Sequence, residues 1–462
     1  PGDEIVYYYE VYDNDGVNGS KAARTNLMNF QMPTVEELQE KEEQNNDDIK
    51  EDLKESLKES RKLQREMKEL REKLLQEREV NWQTKEELEK MMERQKELEK
   101  AIEEAKKKFE ENLKNQEELS EQPKEEILEK QEKIQEMFED LMSDEMKKLM
   151  DQIQELMQEL EKDNALEMME QMEMNDEELE LELDRMLELF KQLEMESEIQ
   201  KQVDRLEELA EEQEALSEDT KTGEESQEEL EKRQEEINEA FEEIQEKQEE
   251  LEKKNQELER PKDMGDQDEK MEDIEQNLQQ SQEQLNQQEN KKASKSQKKA
   301  SEKMKEMAQS MQSQMQSGQM EQMEEDMASL RQLLENLVTI SFDQEGLMDE
   351  LARSSINTPR YVELVQQQFK IKDDFQIVED SLQALAKRVF QIESFVTEKV
   401  GEIEENLGES LEQLEERKKP QAADNQQRTM KNVNDLALML NEVMEQMQQQ
   451  MSSMMQGSQM CS

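Results

Sequence analysis

The stretch that decides the fold is EEINEAFEEIQEKQEELEKKNQEL, residues 235–258. One series of residues in it is spaced alternately by four and three positions, and Gln or Asn fills two places in that series: Ile237, Phe241, Ile244, Gln248, Leu251, Asn255 and Leu258. Such a narrow apolar stripe is typical of a coiled-coil seam rather than of the broad face of a globular helix. Most other positions are Glu, Lys or Gln, which favour helix. The stretch therefore predicts a long helix that buries one stripe against a neighbour.

The same spacing recurs in four other stretches between residues 34 and 261. Their stripes are Leu63, Met67, Leu70 and Leu74; Leu88, Met91, Leu98, Ile102, Ala105 and Phe109; Met142, Met146, Leu149, Ile153, Leu156 and Leu160; and Leu179, Leu183, Met186, Phe190 and Leu193. Gln95 fills the missing place in the second stripe. The predicted seam continues through most of this region.

Pro, Gly, Asn and Asp residues interrupt these stripes and predict breaks between helices. The predicted breaks lie at Pro123, Asp163-Asn164, Asn175-Asp176, Asp219 to Gly223 and Pro261 to Gly265. They leave helices of roughly 30 to 50 residues. Because short connections favour antiparallel neighbours, we expect long helical hairpins within one chain. A parallel homo-oligomer is the alternative, since periodicity predicts a seam without saying which helix fills it.

The composition excludes one large globular core. The chain has 462 residues, of which 32% are hydrophobic, 3% aromatic and 40% charged. A globular domain is normally close to half apolar. With 61 Lys and Arg against 123 Asp and Glu, the net charge is −62, which repels nucleic acid. The basic run Lys291 to Lys305 lacks interleaved aromatic residues and is interpreted as a solvated face that pairs with acidic helices.

The fold class expected is mainly α, in four parts. Residues 1–33 are rich in Tyr, Ile and Val and contain turn signals at Asp13 to Gly16, so they predict the last, C-terminal hairpin of a small β-sandwich. Residues 34–261 are the acidic helical hairpins, and residues 262–326 are a Gln-, Met- and Lys-rich helix or linker. Residues 327–462 predict a C-terminal helical bundle with a Met-rich tail. An EF-hand reading from Asp13 fails, because positions 5, 6 and 12 are Val, Asn and Arg.

Three local features support these boundaries. Thr34 and Glu37 form a capping box at the first helix. Thr358 and Pro359 have the residue types of a helix cap and a first turn. The helix after Pro359 carries apolar residues over a broad face that includes Phe369 and Ile377, so we expect that face to be buried on more than one side.

The residue inventory predicts no catalytic, cofactor or metal site. There is no His, and the only Cys is Cys461, so the usual general base and the usual zinc ligands are missing. Carboxylate pairs occur throughout and therefore identify no site, because catalysis needs them in a pocket with shifted pKa values. No glycine-rich phosphate loop is present either. We expect a protein that is not an enzyme.

The 34 methionines are the most unusual feature of the composition. They recur at helical spacing in two runs: Met304, Met307, Met311, Met315, Met320, Met323 and Met327; and Met444, Met447, Met451, Met454 and Met455. Flexible thioethers suit adaptable protein interfaces, which is the main interpretation. They are also soft ligands, so a Cu(I)-binding protein is a lesser alternative.

Several longer segments resemble one family. They are YYYEVYDNDGVNGSKAART at 7–25, MPTVEELQE at 32–40, LRQLLENLVTISFDQEGLMDEL at 330–351, KIKDDFQIVEDSLQALAKRVFQIESFV at 370–396 and MKNVNDLALMLNEVMEQMQQQM at 430–451. They look like segments of the large membrane proteins of Bacteroidetes that carry a domain of unknown function. That family combines N-terminal membrane helices, Ig-like β-domains and a long Glu-, Gln- and Met-rich helical region. The matching blocks cover about a fifth of the chain, in the same order.

The resemblance implies an internal fragment of an envelope protein on the periplasmic side of the cytoplasmic membrane. The sequence itself has no apolar run long enough to cross a bilayer and begins at Pro1, so any anchor would lie outside it. The expected role is that of a structural or interaction protein, a helical arm or scaffold that contacts other proteins through its seams and Met-rich faces. A cytoplasmic coiled-coil rod is the alternative. The sequence does not name a partner.

Overall fold

The computed structural model describes residues 4–12, 22–31, 33–76, 82–119, 123–142, 146–158, 162–223, 225–392 and 394–460. This part of the chain is mainly α, as predicted. The predicted turn at 13–19, Leu160 and Cys461 lie outside the described residues.

Four short strands form a nested antiparallel hairpin at the N-terminus. They are β1 Glu4–Tyr7, β2 Glu10–Tyr12, β3 Ala22–Arg24 and β4 Met28–Gln31. β1 pairs with β4, with Ile5 opposite Phe30, and β2 pairs with β3, with Val11 opposite Ala23. The large apolar side chains of this hairpin are exposed, Val11 by 69% and Phe30 by 54%. The hairpin therefore builds no core of its own, as expected for so few strands.

Eleven helices follow in the described part of the chain. They are α1 Val35–Gln76, α2 Trp82–Glu118, α3 Glu125–Asp140, α4 Met146–Gln158, α5 Lys162–Thr222, α6 Gln227–Gln256, α7 Asp268–Asn286, α8 Asn290–Arg353, α9 Pro359–Ala386, α10 Ser394–Glu415 and α11 Lys419–Met460. The capping box forms as predicted: the Thr34 amide donates to Glu37 Oε2 at 2.9 Å and the Glu37 amide to Thr34 Oγ1 at 3.2 Å. Thr358 Oγ1 likewise accepts from the Tyr361 amide at 3.3 Å.

The helices form three four-helix bundles with three successive apolar cores. The first bundle contains α1, α2, the interrupted pair α3 and α4, and residues 162–193 of α5. The second contains residues 195–222 of α5, α6, α7 and the first part of α8. The third contains residues 327–353 of α8 with α9, α10 and α11. The predicted seam residues are buried, for example Ile237, Phe241 and Leu251.

Two long helices each belong to two bundles. α5 has 61 residues and α8 has 64, so each is about 90 to 95 Å long. They run antiparallel in the second bundle, where Ser217 Oγ donates to the Ser294 carbonyl and Ser301 Oγ to the Ala210 carbonyl, both at 2.7 Å. Because both helices leave the second bundle at the same end, the first and third bundles project from that end. We call this meeting point the junction.

The accessible surface agrees with this branched arrangement. It amounts to 26404 Å² for a chain of 55.0 kDa, whereas one compact domain of that mass would expose about 18,000 Å². As expected from the composition, the chain distributes its apolar residues over narrow seams instead of one large core.

Buried glutamines form a polar layer in two of the bundles. In the second bundle Gln234 exchanges hydrogen bonds of 3.1 Å with Gln213 and accepts one of 3.0 Å from Gln297. In the third bundle Gln368 Oε1 accepts from Gln344 and Gln426 at 3.0 and 2.7 Å. A hydrogen-bonded polar layer inside an apolar seam favours one register over its neighbours.

Two predictions about the helices are wrong. Asn175-Asp176 does not break the chain, because α5 continues through it, with Met172 and Leu179 buried on either side and Asn175 Nδ2 donating to Gln152 Oε1 at 2.7 Å. Between residues 34 and 261 the helix lengths also differ from the expected 30 to 50 residues, since α3 has 16 residues, α4 has 13 and α5 has 61.

The broad apolar face of α9 is not covered by the described residues. Phe369 is 43% and Ile377 62% exposed, whereas the seam residues Ile371 and Phe375 are buried. The four-helix geometry gives α9 one buried stripe, so apolar residues outside that stripe remain at the surface.

Candidate interaction site at the bundle junction

The centre of the junction is a set of buried charges on α5. Glu194 accepts from Lys50 of α1 at 2.9 Å and from Lys254 of α6 at 3.0 Å. Two residues later, Glu196 is paired with Lys130 of α3 and accepts from Lys262 at 2.6 Å. Each carboxylate therefore connects one helix of the first bundle with either α6 or the α6–α7 connection of the second bundle.

The pKa of Glu196 shows how strongly these charges are coupled. Burial alone raises the pKa of this carboxyl, but the ammonium groups of Lys130 and Lys262 outweigh burial and lower it to about 2. A buried carboxylate is stable only when it is paired and hydrogen-bonded in this way. Glu196 is therefore ionised at neutral pH and acts as a structural anion.

Arg185 fastens the third bundle to the first. Its Nε donates to the Ala386 carbonyl at 3.1 Å and one terminal nitrogen donates to the Ile392 carbonyl, while Glu182 accepts from the other at 3.2 Å. Ala386 ends α9, and Ile392 lies in the connection to α10. The guanidinium thus satisfies carbonyls at a helix end that lack helical partners.

The same connection inserts an aromatic ring into the first core. Phe390 is 8% exposed and packs with the buried residues of the first bundle. The Lys130 ammonium lies 5.0 Å from the centre of its ring, close enough for a cation–π contact. Lys130 therefore contacts both Glu196 and Phe390, which links all three bundles at one point.

A groove opens beside this point between the first and third bundles. Its volume is about 760 Å³, within the range of sites that hold ligands. Its walls come from the start of α3, the middle of α8, the end of α11 and the α9–α10 connection. They are lined by Lys124, Glu125, Glu126, Glu129, Met315, Gln316, Met320, Gln391, Gln446, Gln449, Gln450, Ser453 and Met454.

The groove deepens towards the buried charges through a smaller cleft of about 70 Å³. The two share Glu126, Gln391, Gln450 and Met454. The smaller cleft adds Met323, Met447 and Phe390 to the lining. We call the combined surface the Met/Gln groove. Its thioethers and amides offer flexible apolar contact together with hydrogen-bonding groups.

The structure places the predicted methionines in several environments. Met327 and Met444 pack against the third core, Met451 is half-buried and Met455 is 46% exposed. Met304, Met307 and Met311 are buried in the second core. Met315, Met320, Met323, Met447 and Met454 line the Met/Gln groove. The two Met-rich runs, far apart in sequence, therefore meet at one surface. Sequence spacing predicted two Met faces but gave no sign that they share a site.

The buried charges were also missed by sequence analysis. In residues 182–196 charged residues alternate with Leu, Met and Phe, and apolar residues lie on every side of the helix. A helix without a single apolar face is buried on several sides, so this pattern was the available signal for buried charges. Thioethers come together in the Met/Gln groove and also in a cavity of about 40 Å³ lined by Met264, Met311 and Met315. Copper binding therefore stays a prediction. Among the described residues no cluster of acidic or Cys side chains is placed to hold a metal ion.

Comparisons with known proteins do not add to this description. No protein-family description, curated protein or solved structure gave a significant match to the chain. Within the described ranges, no helix has the length and apolar character needed to cross a bilayer.

Proposed function

We propose that this chain is a non-enzymatic structural and interaction protein, a helical arm or scaffold that contacts other proteins through the Met/Gln groove. The groove is the observation that carries the proposal. Two helices, α8 and α11, bring five methionines to its lining: Met315, Met320, Met323, Met447 and Met454. Methionine-lined surfaces can repack around partners of different shape.

The arrangement of charge supports a scaffold role. The buried charges of the junction, Glu196 and Arg185, make ion pairs and backbone hydrogen bonds between bundles. A carboxyl with a perturbed pKa, such as Glu196, can also mark a catalytic site. Here the partners of Glu196 are lysines of neighbouring elements, so its lowered pKa is explained by its role in holding the bundles together.

We place this arm in the cell envelope, on the periplasmic side of the cytoplasmic membrane, anchored by segments outside the chain. This part of the proposal rests on the resemblance of residues 7–25 and 330–351 to the Bacteroidetes family. The N-terminal hairpin supports it, since exposed paired strands are foreign to a simple coiled-coil rod. A cytoplasmic rod is the alternative.

Location is tested with the full-length gene product tagged at its C-terminus. The cells are fractionated, and spheroplasts are then treated with protease. The proposal expects the tag to sediment with membrane and to be digested from outside. A soluble, protease-protected tag would instead support the cytoplasmic rod.

Binding at the groove is tested separately by site-specific photocrosslinking in cells. A photoreactive residue replaces Met320 in the groove or, as the control, the exposed Glu243 of α6. We expect defined protein adducts from position 320 and none of the same size from position 243. Equal adducts at both positions, or none at 320, would contradict a role for the groove.

A further inference from the structure

A second cleft lies between the first and third bundles, close to the junction. Its volume is about 420 Å³, and it is lined on one side by α5 and on the other by α9 and α10. Six carboxyl groups face it: Glu177, Glu178, Glu180, Glu379, Asp380 and Glu404. None of the described residues that line it is basic. We call it the acidic cleft.

Two basic residues of α1 neutralise part of the negative charge on the α5 side of the acidic cleft. Lys68 and Arg61 of α1 pair with Glu177 and Glu180, each at 2.8 Å. Both cations belong to the first bundle, so they leave the charge on the opposite wall unchanged. Across the cleft, Glu379 accepts from Gln383 at 2.9 Å.

The two walls approach closely at a glycine. A Cβ at Gly401 of α10 would lie 3.0 Å from Glu178 Oε1 of α5. That distance is shorter than ordinary van der Waals contact, so a side chain at residue 401 would require the Glu178 carboxylate to shift by a few tenths of an ångström. Lys372 of α9 is turned towards the next glycine of α10, since a Cβ at Gly408 would lie 3.8 Å from its Nζ.

Glu379 holds a proton in this setting. Burial raises the pKa of its carboxyl, and the hydrogen bond and charge of Glu404, followed by the charges of Asp380 and Glu177, raise it further to about 8. Two carboxyl groups that share one proton carry one negative charge instead of two. Glu379 and Glu404 both belong to the third bundle, so this proton sets the charge that the third bundle presents to the carboxylates of α5.

We propose that the acidic cleft is a pH-sensitive contact between the first and third bundles, which stay together while Glu379 and Glu404 of the third bundle share a proton and separate when both carboxyl groups are ionised. Loss of the proton places a second negative charge between α9 and α10, opposite Glu177, Glu178 and Glu180. The contacts of Arg185 with the end of α9 lie nearer the junction and serve as the pivot. The spacing of these bundles also sets the width of the Met/Gln groove, although the proposal does not depend on binding there.

The test measures the distance between the two bundles in the full chain. With Cys461→Ser as the background, spin labels are placed at Glu72→Cys near the end of the first bundle and at Ser355→Cys near the end of the third. We expect this distance to increase as the pH rises from 6 to 9, with a midpoint near 8. A label pair at Glu72→Cys and Glu249→Cys is the control. These sites lie in the first and second bundles, which share the continuous helix α5, so the distance between the two labels should stay constant.

Substitutions decide whether the acidic pair is responsible. The Glu379→Gln and Glu404→Gln double variant keeps shape and removes both charges, so the short distance should persist through pH 9. Glu243→Gln, an exposed carboxyl on α6, should leave the pH transition unchanged. Circular dichroism checks that each variant is folded. A constant distance in the parent chain, or an unaltered transition in the double variant, would overturn the proposal.

Discussion

Glu196 of α5 accepts a 2.6 Å hydrogen bond from the ammonium group of Lys262, which lies 66 residues further along the chain. Both side chains are buried, 3% and 19% exposed. With Lys130 on its other side, this carboxylate joins α3, α5 and the α6–α7 connection. A buried ion pair adds little stability compared with an apolar replacement, but the loss of one partner leaves a charge without compensation.

We therefore expect Glu196→Gln to lower the free energy of unfolding by about 3 to 5 kcal/mol at pH 7. The amide cannot balance the two ammonium groups that remain. Urea unfolding followed by circular dichroism measures the change, with the exposed Glu243→Gln as the control. A loss no larger than that of the control would show that Glu196 does not hold the junction.

The same residue predicts acid sensitivity. Because the folded pKa of Glu196 is about 2, below that of an unfolded glutamate near 4.3, its contribution is complete above the unfolded value. It is lost as the pH falls from there towards 2. The parent chain should lose more stability over this interval than Glu196→Gln does. Parallel slopes for the two proteins would contradict this assignment.

Glu379 predicts the opposite slope on the neutral side. Its folded pKa of about 8 lies above the unfolded value, so the folded state binds a proton that the unfolded state has released. Stability should therefore fall as the pH rises from about 4.3 to 8 and level off above it. Glu379→Gln should remove this part of the slope and be the more stable protein at pH 9. Thermal unfolding across this range measures the difference.

The glutamine layer of the third bundle predicts that substitutions of the adjacent Gln367 and Gln368 have different effects on stability. Gln368→Leu removes the acceptor for Gln344 and Gln426 and leaves their amides buried without partners, at a cost of about 1 to 3 kcal/mol. The adjacent Gln367 is exposed, so Gln367→Leu should change stability little. Replacement of all three layer residues by Leu should restore or raise stability, because no unpaired amide remains. Chemical denaturation compares the four proteins.

Two glycines predict changes of opposite sign. Gly265 has φ +65° and lies against the Gln314 side chain, so Gly265→Ala should destabilise the chain by about 1 to 2 kcal/mol. Gly346 is inside α8 with open space around it, so Gly346→Ala should stabilise by about 0.5 to 1 kcal/mol. Melting temperatures of the two variants test the pair, and a shift in the same direction for both would contradict the reading of Gly265.

Heptad spacing predicted which residues are buried because a coiled-coil seam places its apolar side chains three and four residues apart. This spacing can be read directly from the sequence. Ile237 and Phe241 could be assigned to the seam from sequence for this reason. Local sequence patterns gave a wrong prediction where contacts with residues distant in the sequence determine the structure. Asn175 and Asp176 disfavour helix, yet packing on both sides carries α5 through them.

The Met/Gln groove could not be predicted for a related reason. It depends on which turn of α8 meets which turn of α11, and a repeating seam allows many registers. Met320 and Met454 meet only because α8 and α11 align as they do, with the layer that joins Gln344 and Gln426 through Gln368 fixing one level of that alignment. Those glutamines are visible in the sequence, but their partnership is not.

The two shared helices have a consequence for how the molecule unfolds. Since α5 is half in one bundle and half in the next, neither bundle can melt without fraying a helix that its neighbour needs. Adjacent units are then coupled energetically, as in repeat proteins, where the interfaces between neighbours add to the stability of each unit. A destabilising substitution at the far end of an outer bundle would affect that bundle alone. One near residue 194 would destabilise both of the bundles that share α5.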